Sequence, residues 1–339
     1  MFHQYQKRFT RKKEGHFMHN KNTSQGVLAS FICDFINMRK SLGFTSANIK
    51  YSLFAFDVFT KNKGLSDISI SRQLGEEWCK RRPNETTDTW SHRNSFLRQF
   101  AIYLTNLGYE AYIPSQVITR PSSFTPYIFS DVELQALYDA CDSLSLYDKH
   151  ARSNIMVLPA LIRMLAATGI RIGEATNLLD KDVNLEYNYF ILRNCKNGKD
   201  RIIPMSESLA DVCKQYRKYR TLLPSNSNFF FIKMNGCQCP PQSFSLWWDK
   251  LLKIAQIKRR GKMVGPRIQD LRHTFCIKSM THLVQEGKDL YYILPILSTY
   301  VGHSSLASTD RYLRMTAEMY PDLLNKTESI CSYIFSDVK

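Results

Sequence analysis

The chain has 339 residues, 44% of them apolar, enough to bury two cores; that excludes a disordered chain. Its formal net charge is +16, and Lys and Arg outnumber Asp and Glu on both sides of Thr125, so a polyanion gripped from two sides fits better than a basic tail on a neutral domain. No run of about 18 apolar residues exists, which excludes a helical membrane span and points to the cytoplasm.

The first residues carry Lys7, Arg8, Arg11, Lys12 and Lys13 without a following apolar stretch. They read as a loose basic arm over 1–24, a solvated tail in the first instance and a contact to DNA phosphates in the second, not a secretory signal. From Gly26 to Gly108 the apolar spacing is helical. Phe31, Phe35, Met38 and Leu42 form a first stripe, and Leu53, Phe54, Val58 and Phe59 a second. Trp78 closes a third segment; Phe96, Leu97, Phe100, Tyr103, Leu104 and Leu107 line the fourth, and the unit is a small four-helix domain, 25–111. The stretch 112–126, with Pro114, Pro121 and Pro126, has neither period and is a linker.

A second domain, 127–325, opens at Ser130, an N-cap with Glu133 completing a capping box. An apolar helix follows from Asn154 to Ala167 and stops at Gly169, and a new helix starts at Arg171. Tyr189–Leu192 and Arg201–Pro204 are strands, with Asn197-Gly198 between them as the signal for a tight hairpin. Helices return at 244–257, 270–286, 290–300 and 308–315, and an apolar tail, 326–339, ends the chain. The nine cysteines are an odd number and scattered, so they read as free thiols, and Cys237 and Cys239 sit too close for a zinc knuckle. No metal and no cofactor are expected.

Four pieces of the second domain carry unusual chemistry. In Thr168-Gly169-Ile170-Arg171-Ile172-Gly173-Glu174, an arginine at a helix start aims its guanidinium where an anion is favoured, and Glu174 is placed to hold it by a bidentate bond or to form a plain surface ion pair. Lys196 and Lys199 flank the hairpin turn; either could reach into a groove and deliver a proton, or simply be solvated. In Gln269-Asp270-Leu271-Arg272-His273-Thr274-Phe275, Asp270 is the N-cap, and His273 is the better candidate for a buried structural role. Finally come Val301-Gly302-His303-Ser304-Ser305 and Thr309-Asp310-Arg311-Tyr312.

Together, in this order and at these separations, the four pieces resemble the tyrosine recombinase family, which includes phage integrases, the Xer proteins, Cre and transposon-borne integrases. The resemblance spans 126–325 and extends more loosely over the helical unit before it. It implies a mainly α fold with a small β-sheet (α+β), in which a core-binding domain and a catalytic domain form a C-shaped DNA clamp. Tyr312 falls where the family places its nucleophile. Arg171 and Arg272 fall on its two arginines, His303 on its late histidine and Lys196 on its lysine, with Lys199 the alternative; Glu174 and His273 support them. Gln269 stands where the family often has histidine or lysine. A glutamine can donate a hydrogen bond to a phosphate oxygen but cannot carry a proton, so proton transfer would rest on His303 and the lysine.

The implied activity is site-specific recombination through a 3′-phosphotyrosine intermediate, integrating or excising a mobile element without metal or ATP. The implied partners are double-stranded DNA, three further copies of the chain in a homotetramer on paired sites, and accessory proteins that set direction. The implied location is the nucleoid. The tail 326–339 would dock on a neighbouring subunit or on its own domain. Two other readings stand beside this one: a DNA-binding protein of the same fold that no longer cuts, and a nicking enzyme of the type IB topoisomerase kind. Base contacts would come from the helix around Trp90, Ser91, His92 and Arg93 and from the one at 242–250.

Overall fold

The computed structural model describes residues 26–44, 47–117, 125–145, 153–195, 198–224, 227–261 and 265–302. The chain divides into two compact units, Met1–Ser122 and Ser123–Lys339. In the described part of the first, four helices pack together: α1 (Ala29–Ser41), α2 (Ala47–Asn62), α3 (Arg72–Cys79) and α4 (Thr87–Asn106). Ser71 and Thr86 cap α3 and α4 by accepting hydrogen bonds from the N–H groups of Leu74 and Thr89.

The buried stripes differ in phase from the expected ones. On α1 the core face is Leu28, Ile32, Phe35 and Ile36, whereas Met38 and Leu42 are exposed and Phe31 sits at the edge against Tyr109. Val58 and Leu107 are exposed too. The interior is set by the aromatic cluster of Phe35, Phe56, Trp78 and Phe100, and each helix turns its largest side chains onto it. The first residues of the expected linker belong to this unit, since the Tyr112 N–H bonds Ile70 O and Arg98 Nη1 bonds Pro114 O. Arg93 does not offer itself to bases. It is buried, its Nε and Nη2 held by Glu85 at 2.8 and 2.7 Å and its Nη1 by Trp78 O. His92 is exposed beside it and stacks on Phe96.

The second unit starts at α5 (Asp131–Asp142), whose Ser130–Glu133 capping box is formed. A 3₁₀ turn, Ile155–Val157, leads into α6 (Leu158–Thr168), which is buried on most of its surface and is the central helix of the core. After α7 (Ile172–Thr176) come β1 (Val183–Asn184), β2 (Tyr189–Leu192) and β3 (Arg201–Pro204), an antiparallel sheet in the order β1-β2-β3. Then follow α8 (Glu207–Arg220), α9 (Ser245–Ile254), α10 (Asp270–Gln285) and α11 (Leu290–Val301). The fold is thus mainly α with a small β-sheet. α10 and α11 share a satellite core of Cys276, Ile277, Met280, Ile293, Leu297 and Val301.

The two strands pair over the expected bounds, and between them the Gly198 N–H donates to Cys195 O at 2.6 Å. Pairing ends at Leu192↔Arg201, so residues 193–200 connect β2 to β3. Side chains, not a ladder, hold the loop's foot. Arg193 donates to both oxygens of the buried Asp182, and Asp200 accepts from the Asn194 N–H at 3.0 Å.

Candidate active site

The first arginine motif is shaped by a glycine. Gly169 ends α6 in the left-handed region, φ 62°, with its N–H on Leu165 O. A Cβ there would lie 2.8 Å from Phe275 Cγ, so the turn and the close approach of α10 both require glycine. We expect Gly169→Ala to lose about 2–4 kcal/mol, the sum of a left-handed alanine and an overpacked ring. A fall in urea midpoint at unchanged m-value checks this; an unchanged midpoint contradicts it.

Two residues on, Arg171 adopts an extended backbone as the N-cap of α7. Its own N–H donates to Glu174 Oε2 at 2.9 Å and its Nη1 to Glu174 Oε1 at 2.9 Å. Glu174 therefore grips Arg171, but one oxygen takes the backbone and the other the guanidinium, in place of the expected bidentate fork. An N-cap residue presents both donors to the side chain three positions ahead, and this decides the geometry.

The second motif opens α10. The N-cap is Gln269, half-buried, and not Asp270. Asp270 is buried and turns back to accept from the Arg267 N–H at 2.7 Å and from Arg267 Nη2 at 2.8 Å, so a local ion pair takes the carboxylate that capping would have used. The order of burial is also the reverse of the expectation. Arg272 is 2% exposed and His273 only half-buried. Arg272 Nη1 donates to Gly169 O at 2.8 Å and Nη2 to Val301 O at 2.7 Å, which is why the cation tolerates burial.

These bonds converge on one place, the C-terminal end of α11. Arg272 Nη2 holds Val301 O, Arg171 Nη2 approaches Gly302 O at 3.5 Å, and Arg201 Nη1 donates to Tyr300 O at 2.9 Å. The last carbonyls of a helix lack partners within it and carry partial negative charge, so three guanidinium groups are well placed there. Arg201, at the start of β3, was not singled out from sequence. Its Nη2 also donates to Glu174 Oε1 at 2.9 Å. Nearby, the Tyr300 ring stacks on Phe275, and burial pushes its hydroxyl up to about 12.

The structure thus brings together Arg171, Glu174 and Arg272, with Gln269 and His273 on the same first turn of α10. Lys199 is exposed on the 193–200 loop. Lys196, His303 and Tyr312 lie outside the described residues, as do the arm 1–24 and the tail 326–339. Residue 303 follows directly on Gly302, the residue next to the arginine-held end of α11. Among the described residues no three His, Cys, Asp or Glu side chains gather as a metal-ligating group, and no helix is long and apolar enough to cross a membrane.

The profile of the phage integrase family matches residues 129–319. The tyrosine recombinase XerC of Oceanobacillus iheyensis is 26% identical over 303 residues, covering 84% of this chain and 90% of that protein. The tyrosine recombinase XerA of Pyrococcus horikoshii is 30% identical over 172 residues, 50% of this chain and 54% of that protein. Among solved structures, the Tn1549 transposon integrase in complex with transposon right end DNA aligns with a TM-score of 0.61 at 18% identity, covering 84% of this chain and 93% of that one.

Proposed function

This chain belongs to the phage integrase family of tyrosine recombinases and is a tyrosine-type DNA strand transferase; from that premise we propose that it is a site-specific recombinase that cuts duplex DNA with Tyr312 and moves a mobile element. One observation carries the reading. Two arginine motifs about a hundred residues apart close on the helix end that leads to His303, through Arg272 to Gly169 O and Val301 O and through Arg171 to Gly302 O. A protein that only binds DNA needs cations on its surface; it does not need a guanidinium buried between two motifs.

A phosphodiester is a poor electrophile because it is already negative. Arg171, Arg272 and His303 spread the charge that grows on its oxygens. Tyr312 Oη forms a bond to phosphorus and its proton passes to His303. The bond from phosphorus to the 5′ oxygen breaks, and that oxygen takes a proton from Lys196, or from Lys199 if the loop brings it closer. The product is a 3′-phosphotyrosine and a free 5′ hydroxyl. Bond energy is kept, so a second 5′ hydroxyl reverses the step on a new strand. Gln269 adds a neutral hydrogen bond to a phosphate oxygen. The domain plan is the basic arm 1–24, a core-binding domain 25–111, a linker 112–126, the catalytic domain 127–325 and the tail 326–339. Strand exchange at paired sites calls for four copies, the tail of one docking on the next, and for accessory proteins that set direction. The enzyme works in the cytoplasm on nucleoid DNA.

The test is covalent trapping. The protein is mixed with labelled, nicked duplexes taken from the DNA flanking its own gene, then denatured. An adduct joined to the 3′-phosphate side supports the reading. Tight, salt-sensitive binding to those duplexes with no adduct overturns it in favour of a non-cutting protein of the same fold, with Gln269 the first residue to restore to histidine.

A further inference from the structure

β3 begins with Arg201, and this one side chain joins three pieces of the site that are far apart in sequence. Its Nη2 donates to Glu174 Oε1, the same oxygen that accepts from Arg171 Nη1. Its Nη1 donates to Tyr300 O near the end of α11. Its backbone pairs with Leu192 at the foot of the 193–200 loop, on which Lys196 lies. The side chain is 11% exposed. Withdrawing a cation from water is unfavourable, so its retention asks for a role beyond filling space. Gly302 makes room for it. The backbone there has φ 68°, and a Cβ would fall 2.6 Å from Arg201 Cζ. The residue immediately before His303 is therefore bare on the side where this guanidinium lies.

We propose that Arg201 is a positioning residue for strand transfer, aiming the Arg171 guanidinium through Glu174 and fixing, through Tyr300 O, the end of α11 that precedes His303 in the chain. It touches neither DNA nor the reacting atoms. The inference rests on the strand-transfer reading of this site. A planar fork can hold a carboxylate with one arm and a carbonyl with the other, and an ammonium at the end of a lysine cannot hold both in that geometry. Losing Arg201 would leave Arg171 with its charge and its bond to Glu174, but with Glu174 held on one side only.

A plain structural brace would show itself differently. Its loss would lower the melting temperature and the fraction of molecules that react, and leave the rate of those that do react alone. Single-turnover cleavage of the nicked duplex by the full chain separates the two. For Arg201→Lys the DNA Kd and the reaction amplitude are expected to stay within about 2-fold, while the rate constant at saturating DNA falls about 10–100-fold, the order lost when a reacting group is misplaced by about an ångström. Gly302→Ala, which displaces the guanidinium without removing its charge, should slow the rate in the same way. Adding Glu174→Gln to Arg201→Lys should cost much less than the product of the two single losses, because both act through one contact. A wild-type adduct together with an unchanged rate constant in Arg201→Lys, or a loss confined to amplitude and melting temperature, overturns the role of Arg201. Absence of the wild-type adduct overturns the strand-transfer reading itself, and this proposal with it.

Discussion

Tyr312→Phe is expected to reduce the covalent protein–DNA adduct to background while DNA binding stays within about 2-fold. In the proposed mechanism the phenol oxygen is the atom that bonds phosphorus, so this change takes away the nucleophile but none of the basic side chains that would hold phosphates. Removing the nucleophile from other covalent enzymes costs about 10⁴-fold or more in turnover, beyond what a gel resolves. Several other tyrosines argue the point by contrast. Tyr300 lies close to the arginine cluster, but its ring is packed on Phe275 and burial pushes its hydroxyl up to about 12. Tyr127 bonds Glu133, and burial likewise pushes its hydroxyl up to about 12. Tyr216 is spent on Phe230 O and on the Ile232 N–H inside the core. Neither Tyr127 nor Tyr216 can present an oxygen to a duplex without unpacking. An adduct that survives in Tyr312→Phe would move the nucleophile elsewhere in the C-terminal segment, to Tyr320 first, and would remove Tyr312 from the mechanism above.

What could be read from the sequence was local. The Ser130–Glu133 box, the stop at Gly169 and the helix start at Arg171 each depend on a few neighbouring residues, and each stands as expected. α8 escaped notice because its buried side is thin, Leu209, Ala210, Cys213 and Tyr216 among Lys and Arg, though the spacing is helical. Asp270 misled because the rule for N-caps cannot foresee that Arg267, three residues earlier, claims the same carboxylate. The exchange of burial between Arg272 and His273 was out of reach for a different reason. Arg272 is buried by carbonyls 103 and 29 residues away, and no local pattern encodes them. Arg201 shows the same limit. In Arg-Ile-Ile-Pro it is an ordinary strand residue, and its importance comes from acceptors 27 and 99 positions distant. The motifs pointed to the residues proposed to carry the chemistry. The bonds that aim them are long-range and appear only once the chain is folded.

Arg272 is where those two kinds of information meet, and replacing it should have the second largest effect. Arg272→Met keeps the aliphatic stem but removes the charge and both donors. Gly169 O and Val301 O then lose their partners inside the fold, at about 1–3 kcal/mol each. The melting temperature should fall accordingly. Cleavage should fall further, by about 10²–10³-fold in rate constant among the molecules still folded, because the proposed mechanism uses this charge beside the growing negative charge of the transition state. Arg272→Lys divides the two contributions. It keeps the cation but reaches only one of two carbonyls that lie on separate elements, so it should lose less stability than Met and still cleave at least ten-fold more slowly than wild type. The comparison is made at a temperature where far-ultraviolet circular dichroism finds all three proteins folded. If Arg272→Met cleaves within about 3-fold of wild type there, the guanidinium only ties α6 and α11 together, and the charge that stabilises the phosphate has to come from Arg171 and His303. If both variants lose rate in the expected order, the tie between distant motifs and the stabilisation of the transition state are two consequences of one buried cation.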